Sequence, residues 1–225
     1  MHHMLKRAKE KGMPVTSKAF IDHGKHMPLF PGVTEYFKKI NDYAKSKGLL
    51  IDHYIISSGL RDILKGTSIN KEFKMVFASA YKYDENDVAE WPALAIDYTN
   101  KTQYLFRINK GINNSWDNTN INKYMPEDQR PMPFNRMIYL GDGETDIPAM
   151  KMITHQGGKA IAVYNPNTST KTGKYAKKVT QELVEQKRAN FVAAADYTEG
   201  GDLFKIIQLC IDSIAAETEL LKFKK

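Results

Sequence analysis

The sequence predicts an α/β protein: a Rossmann-like parallel sheet with helices on both faces, preceded by a short helical N-terminal segment. Three observations carry this. Short apolar runs alternate with stretches of helical periodicity over most of the 225 residues, the order expected of parallel strands joined by crossover helices. The runs themselves, such as "HYII", "RMIYLG" and "KAIAVY", suit strands buried on both sides. Pro28, Pro31 and Gly32 then separate an N-terminal appendage from this regular part.

Residues 5–12 are basic and short, with Gly12 as a stop. In the next stretch Thr16 or Ser17 can cap a helix whose apolar side holds Phe20 and Ile21. After Gly32, Val33, Phe37, Ile40 and Ala44 fall on one helical face that ends at Gly48. "HYIIS" is a strand closed by Ser57, Ser58 and Gly59, and "LRDILKGTSI" a short helix. Residues 74–98 read as two or three strands around a turn at Asp84–Asp87. "TNKTQYLFRINKG" is helical and stops at Gly111, and residues 112–134 form a polar surface excursion. The remainder repeats strand and helix: strands at "RMIYLGD", "KAIAVYN" and "NFVAAADY", with helices at "DIPAMKMIT" and "KTGKYAKKVTQELVEQK". A last helix carries an apolar stripe of Leu203, Ile206, Ile207, Cys210, Ile211 and Ile214.

Composition narrows the partners. Apolar residues make up 42% and charged residues 26%, ordinary globular usage. The net charge of +7 comes from lysines scattered along helical stretches, not from one basic block interleaved with aromatics, so nucleic acid is not an expected partner. Cys210 is the single cysteine, which excludes an intrachain disulfide and a cysteine metal site and fits a reducing cytoplasm. No apolar run is long enough to span a membrane, and residues 1–15 lack the apolar core of a secretory signal. Cys210, inside the apolar stripe, is expected to be a small core residue.

In parallel α/β sheets ligands bind beyond the carboxyl ends of the strands. After "MIYL" stands Gly141-Asp142-Gly143-Glu144-Thr145-Asp146. Glycines at 141 and 143 permit a sharp turn and a close approach, and Asp142 with Asp146 can hold a hard cation through oxygen. The same spacing also suits an Asx-type turn at Asp142 and a helix cap at Asp146. Ser57, Ser58 and Gly59 close another strand, where a hydroxyl and free N–H groups can hold a phosphate oxygen or cap a helix. Lys101 and Lys110 can screen phosphate charge, or stand solvated on a helix face.

Taken in order, "PLFPGVTEYFKKI", "YIISSGL", "INKGI" and "IYLGDGETDIPAM" resemble the successive signatures of the haloacid-dehalogenase-like (HAD) superfamily of phosphohydrolases over roughly residues 28 to 215. The strand pair ahead of the lysine segment looks closest to phosphoserine-phosphatase-like branches. The resemblance implies a Mg²⁺-dependent enzyme that hydrolyses small phosphomonoesters through a phospho-aspartate. It makes Ser57 the hydroxyl that binds the transferring phosphoryl group, with Ser58 as its alternate and Gly59 beside them. It makes Lys110, or else Lys101, the charge-stabilising lysine, Asp142 a Mg²⁺ ligand, and Asp146 a ligand directly or through water, or the group that orients the lysine.

One signature is missing. The family begins with a strand ending in D-x-D, whose first Asp is the nucleophile and whose second is the general acid–base. No D-x-D stands before Ser57; in "AFIDHGKH" Asp22 is followed two residues on by Gly24 and lies in a segment capped as a helix. The expectation is therefore a helical cap remnant over residues 1–28 and a HAD-like core over 29–225 that lacks its first strand. Such a chain exposes apolar sheet edges and has little phosphatase activity, or acts as a non-catalytic phosphate-binding or interaction module.

Overall fold

The computed structural model describes residues 1–167 and 169–223. The chain forms two compact units, Met1–Pro28 with Asp52–Lys101 and Leu29–Ile51 with Thr102–Lys225. The division differs from the expected 1–28 and 29–225: the segment Asp52–Lys101 joins the N-terminal helices. The reason lies in a hairpin that those helices cover.

In the first unit, strand β1 (Tyr54–Leu60) pairs in parallel with β2 (Met75–Tyr83), which pairs antiparallel with β3 (Ala89–Leu94). A short turn can join only antiparallel neighbours. Here Asp84 makes that turn, its Oδ1 accepting from the N–H groups of Asn86 and Val88 at 2.9 and 2.8 Å. Pro92, which has no N–H to donate, is tolerated because β3 ends its sheet. Helix α1 (His2–Glu10) buries Leu5 against Tyr81 and Ala89, with Phe20, Leu60 and Tyr83 around them. Helix α2 (Ser17–Lys25) starts as expected at Thr16, whose hydroxyl accepts from the Ala19 N–H at 3.1 Å. It packs backbone to backbone on α4, with α3 (Val33–Ser46) intervening in the chain and α4 spanning Arg61–Gly66. A Cβ on Gly24 would sit 2.0 Å from the Ile63 carbonyl oxygen, and one on Gly66 2.0 Å from that of Ile21. Buried Asp62 on α4 accepts from Lys65 Nζ at 2.9 Å and from the Tyr83 hydroxyl at 2.6 Å, the compensation a buried carboxylate requires.

The second unit holds the parallel sheet. Helices α5 (Lys101–Asn109) and α6 (Asn118–Asn122) precede strand β4 (Ile138–Gly141). There follow α7 (Ile147–His155), β5 (Lys159–Tyr164), α8 (Lys171–Glu185), β6 (Phe191–Ala194) and α9 (Asp202–Leu221). The strands run β4-β5-β6, all parallel. Helix α7 packs on β4 and β5, α8 on β5 and β6, and α9 on β6. Ala160, Ile161, Ala162, Met150, Ile153, Leu203 and Phe204 form the centre of this core. Cys210 is buried in the α9 stripe, and α3 stops where Gly48 takes a left-handed φ of 74°, both as the sequence suggests. Among the described residues the α/β class is thus plain, but the strands fall into two three-stranded sheets instead of one, and β3 is antiparallel.

Candidate functional site

The clearest convergence of chemical groups lies at the carboxyl end of β4. The strand ends at buried Gly141, and residues Glu144–Asp146 make a single 3₁₀ turn before α7. The turn closes with the Asp146 N–H donating to the Gly143 carbonyl at 3.0 Å. It folds Asp146 back onto the strand, where its side chain is nearly solvent-free, at 4% exposure. Gly141 makes room for it: a Cβ there would stand 2.6 Å from Asp146 Cβ and 3.0 Å from its Cγ. The close approach anticipated for the glycines therefore belongs to Gly141. Gly143 has extended backbone (φ −164°) and open space where its Cβ would be, so nothing in its surroundings demands glycine.

Asp146 stands at the backbone position of a cap for α7 but makes no side-chain cap. Its Oδ1 instead accepts from the Tyr139 hydroxyl at 2.5 Å. The Asp146 side chain therefore does not cap α7. Burial pushes the Tyr139 phenol far above its usual range, with the charge of Asp146, the hydrogen bond to it and the charge of Asp142 adding to the effect. The phenol therefore stays protonated and serves only as a donor to the carboxylate. Asp142 is exposed. Its charge also bears on Tyr197, whose phenol is raised first by burial and second by Asp142. The Tyr197 ring stands edge-on to buried Tyr36 at 5.2 Å, and Tyr36 edge-on to Phe204 at 6.0 Å, so aromatic core residues back this corner. The structure thus brings Asp142 and Asp146 together around Tyr139.

The other expected residues have different surroundings. Lys110, just past α5, donates from Nζ to the carbonyl oxygens of Ile121 and Lys123 at 2.6 and 2.7 Å, so its charge secures the polar excursion. Lys101, the alternative, is only 5% exposed, unlike a solvated helix-face lysine. Ser57, Ser58 and Gly59 belong to the first unit. They lie inside β1, not after it: pairing passes from Ser57 to Leu60 through an irregularity that leaves Ser58 and Gly59 over. Ser57 Oγ accepts from the Gly59 N–H at 3.0 Å, a local turn bond; the cap position of α4 is Leu60, so the serines do not cap that helix. The Ser58 carbonyl accepts from Ser79 Oγ at 3.1 Å. Asp22 lies within α2 and pairs with Lys25 Nζ at 2.7 Å, as an exposed helix residue would.

Tyr139 is the member of this cluster that reading for strand ends passes over. The available signal was one hydroxyl inside the apolar run "MIYLG", since a buried phenol needs an acceptor. Among the described residues no group of three or more His, Cys, Asp or Glu side chains gathers, and no helix is long and apolar enough to cross a membrane.

No family model matches the chain. It is similar to a protein of Borreliella burgdorferi described as uncharacterized, with 28% identity over 217 residues, covering 87% of this chain and 71% of that protein.

Proposed function

We propose that this chain carries the cation- and phosphate-binding part of a HAD-type, Mg²⁺-dependent phosphohydrolase with a Rossmann-like core, acting on a small phosphorylated substrate. The observation that carries the reading is the turn after β4, where a parallel strand delivers an exposed Asp142 and a buried, tyrosine-held Asp146. The donors suit the ion. Mg²⁺ binds through oxygen, uses one or two carboxylates and completes its shell with waters and phosphate oxygens. Two carboxylates at one strand end therefore meet its needs without a third protein ligand. Asp142 would hold it directly and Asp146 directly or through water.

When bound, the ion supplies charge neutralisation and orientation of the phosphate. The chain's own residues do the rest. Asp142 presents its charge to solvent, where a hydrated ion arrives. Asp146 is kept in place by Tyr139 and by the space at Gly141. The resemblance gives Ser57, in the first unit, the part of phosphate ligand; its hydroxyl accepts from the Gly59 N–H and has a hydrogen to donate. For Lys110 to stabilise charge it would have to leave the carbonyl oxygens of Ile121 and Lys123.

No D-x-D precedes Ser57 in this chain, so its reading is binding of Mg²⁺ and phosphate with little turnover. That same feature favours the second reading, a phosphate-binding or interaction module without catalysis. Titration calorimetry with Mg²⁺ and inorganic phosphate, beside turnover of p-nitrophenyl phosphate, tests both. The expected result is Mg²⁺-dependent phosphate binding that Asp142→Asn removes. Binding that is absent from the unaltered chain, or that survives Asp142→Asn, refutes the assignment. Turnover above background that depends on Asp142 decides against the module.

A further inference from the structure

We propose that the polar excursion after α5 is a binding site for a neutral, polyhydroxylated ligand of the hexopyranose class. The inference goes beyond the cation and phosphate reading and does not depend on it. The residues that line the site lie between Gly111 and Gln129, all within the second unit.

The first observation is shape. This stretch folds around an open cleft of about 580 Å³, a size at which small molecules are bound. A chain this polar keeps a concave form only if something holds it, and here the support comes from α5. Arg107, itself 3% exposed, donates from Nη1 to the carbonyl oxygens of Asn114 and Asp117 at 2.8 and 3.1 Å. Lys110 Nζ does the same for the carbonyls of Ile121 and Lys123. Gly111 lines the cleft with a left-handed φ of 69°, which turns the chain out of the helix. The walls are thus in place before a ligand arrives, which removes part of the ordering cost of binding.

The second observation is the chemistry of the lining. Asn113, Asn114, Asn120 and Gln129 bring carboxamides to it. A carboxamide carries donors and an acceptor side by side, and a hydroxyl both donates and accepts, so neighbouring hydroxyls on a ring are its complement. Two of these amides are oriented. Asn114 Oδ1 accepts from the Trp116 N–H at 2.8 Å, which leaves its NH₂ group to donate. Asn120 Nδ2 donates to Asp117 Oδ2 at 2.6 Å, which leaves its Oδ1 to accept. Among the described residues no hydrogen bond engages the side chains of Asn113 or Gln129. Tyr124 also lines the cleft and is 88% exposed. An open aromatic ring offers its electron-rich face to the C–H side of a sugar ring.

Charge selects against an anion. The lining holds one carboxylate, Asp117, and one ammonium, Lys123, so it is neutral as a whole. Asp117 Oδ1 accepts from the Asn120 N–H at 2.8 Å; that bond and the one from the Asn120 side chain hold its carboxyl below the usual range, so it is charged at neutral pH. A phosphate or carboxylate entering the cleft would meet that charge, whereas a neutral hydroxylated ring does not.

The test is titration of the full, ¹⁵N-labelled chain followed by its ¹H–¹⁵N correlation spectrum. A chelator is present and Mg²⁺ and phosphate are left out, so the result stands whatever becomes of Asp142. The probes are the methyl glycosides of glucose, galactose, mannose and N-acetylglucosamine, with methyl glucuronide as the charged counterpart and adenosine as a planar one. At least one neutral glycoside is expected to give saturable shifts at the side-chain NH₂ groups of Asn113, Asn120 and Gln129 and along the backbone from 111 to 129. Tyr124→Ala and Gln129→Ala, which remove exposed side chains, should each weaken that glycoside about 2–12-fold while the rest of the spectrum is unchanged. Absence of saturable shifts with all four neutral glycosides overturns the proposal, as do shifts confined to residues outside 111–129. Tighter binding of methyl glucuronide or adenosine at the same residues overturns the choice of ligand. Equal affinity in the unaltered chain and both variants overturns the placement.

Discussion

Replacing Gly141 by alanine is expected to destabilise the protein and to displace Asp146, and its size can be worked from the structure. The added Cβ would lie 2.6 Å from Asp146 Cβ, 3.0 Å from Asp146 Cγ and 3.2 Å from Tyr139 Cε1. The first of these atoms is joined directly to the backbone of a one-turn helix, so a rotamer change cannot relieve it. Overpacking of this kind costs about 1–3 kcal/mol. Gly141 does not use a left-handed φ, so alanine also restricts the unfolded chain and returns about 0.4–1 kcal/mol. The net loss is about 1–2 kcal/mol, which for a chain of this length lowers Tm by about 2–8 °C. Gly143→Ala is the matched control: no heavy atom lies within 4 Å of its Cβ, and its change should stay within about 1 kcal/mol of zero. Thermal denaturation of the three proteins, followed by circular dichroism, provides the measurement. If Gly141→Ala melts with Gly143→Ala, the close approach is not what shapes the turn, and the account of Asp146 fails.

Three further outcomes are open to measurement. Gly24→Ala and Gly66→Ala each place a methyl 2.0 Å from a backbone carbonyl oxygen, and either should cost about 3 kcal/mol or more, seen as a large fall in the urea midpoint. Lys110→Ala removes donors from two carbonyl oxygens of the 112–134 excursion; limited proteolysis should cut that segment several-fold faster, with a stability loss of about 1–2 kcal/mol. Tyr36, Tyr83, Tyr139 and Tyr197 all have phenols raised above the ordinary value of 10.0, chiefly by burial. The stability this represents is complete below about pH 10, where both folded and unfolded phenols are protonated, and falls as pH rises further because only the unfolded chain then ionises. Absorbance at 295 nm should show these phenols ionising at the unfolding step, and ionisation before unfolding would contradict their burial.

Much of the fold was legible because its signals are local. Thr16 announces α2 through a hydroxyl and an N–H three residues apart, and Gly48 ends α3 because a left-handed φ suits glycine. The α9 stripe needs only periodicity. Pairing is not local. Nothing in "MVFASAYKY" says that one neighbour runs parallel and the other antiparallel, and so the grouping of Asp52–Lys101 with the N-terminal helices went unread. The candidate site divides the same way. Asp142 and Asp146 follow from a carboxylate pair after a strand, whereas the bond from Tyr139 depends on a turn that folds Asp146 back toward its own strand. Lys110 shows the limit from the other side: by the resemblance it was the preferred charge-stabilising lysine, yet two carbonyl oxygens eleven and thirteen residues ahead lie within its reach.

Helix α5 governs more of the chain than its own length. Arg107 Nη1 donates to the carbonyls of Asn114 and Asp117, Asn109 Nδ2 to that of Met132, and Lys110 to those of Ile121 and Lys123. One turn of helix thus holds the long excursion at both ends and in the middle, like a bracket with three arms. The excursion therefore travels as cargo of α5: a ligand that shifted this helix end by an ångström would carry residues 114–132 with it, and an antibody gripping that loop would in turn report on the helix.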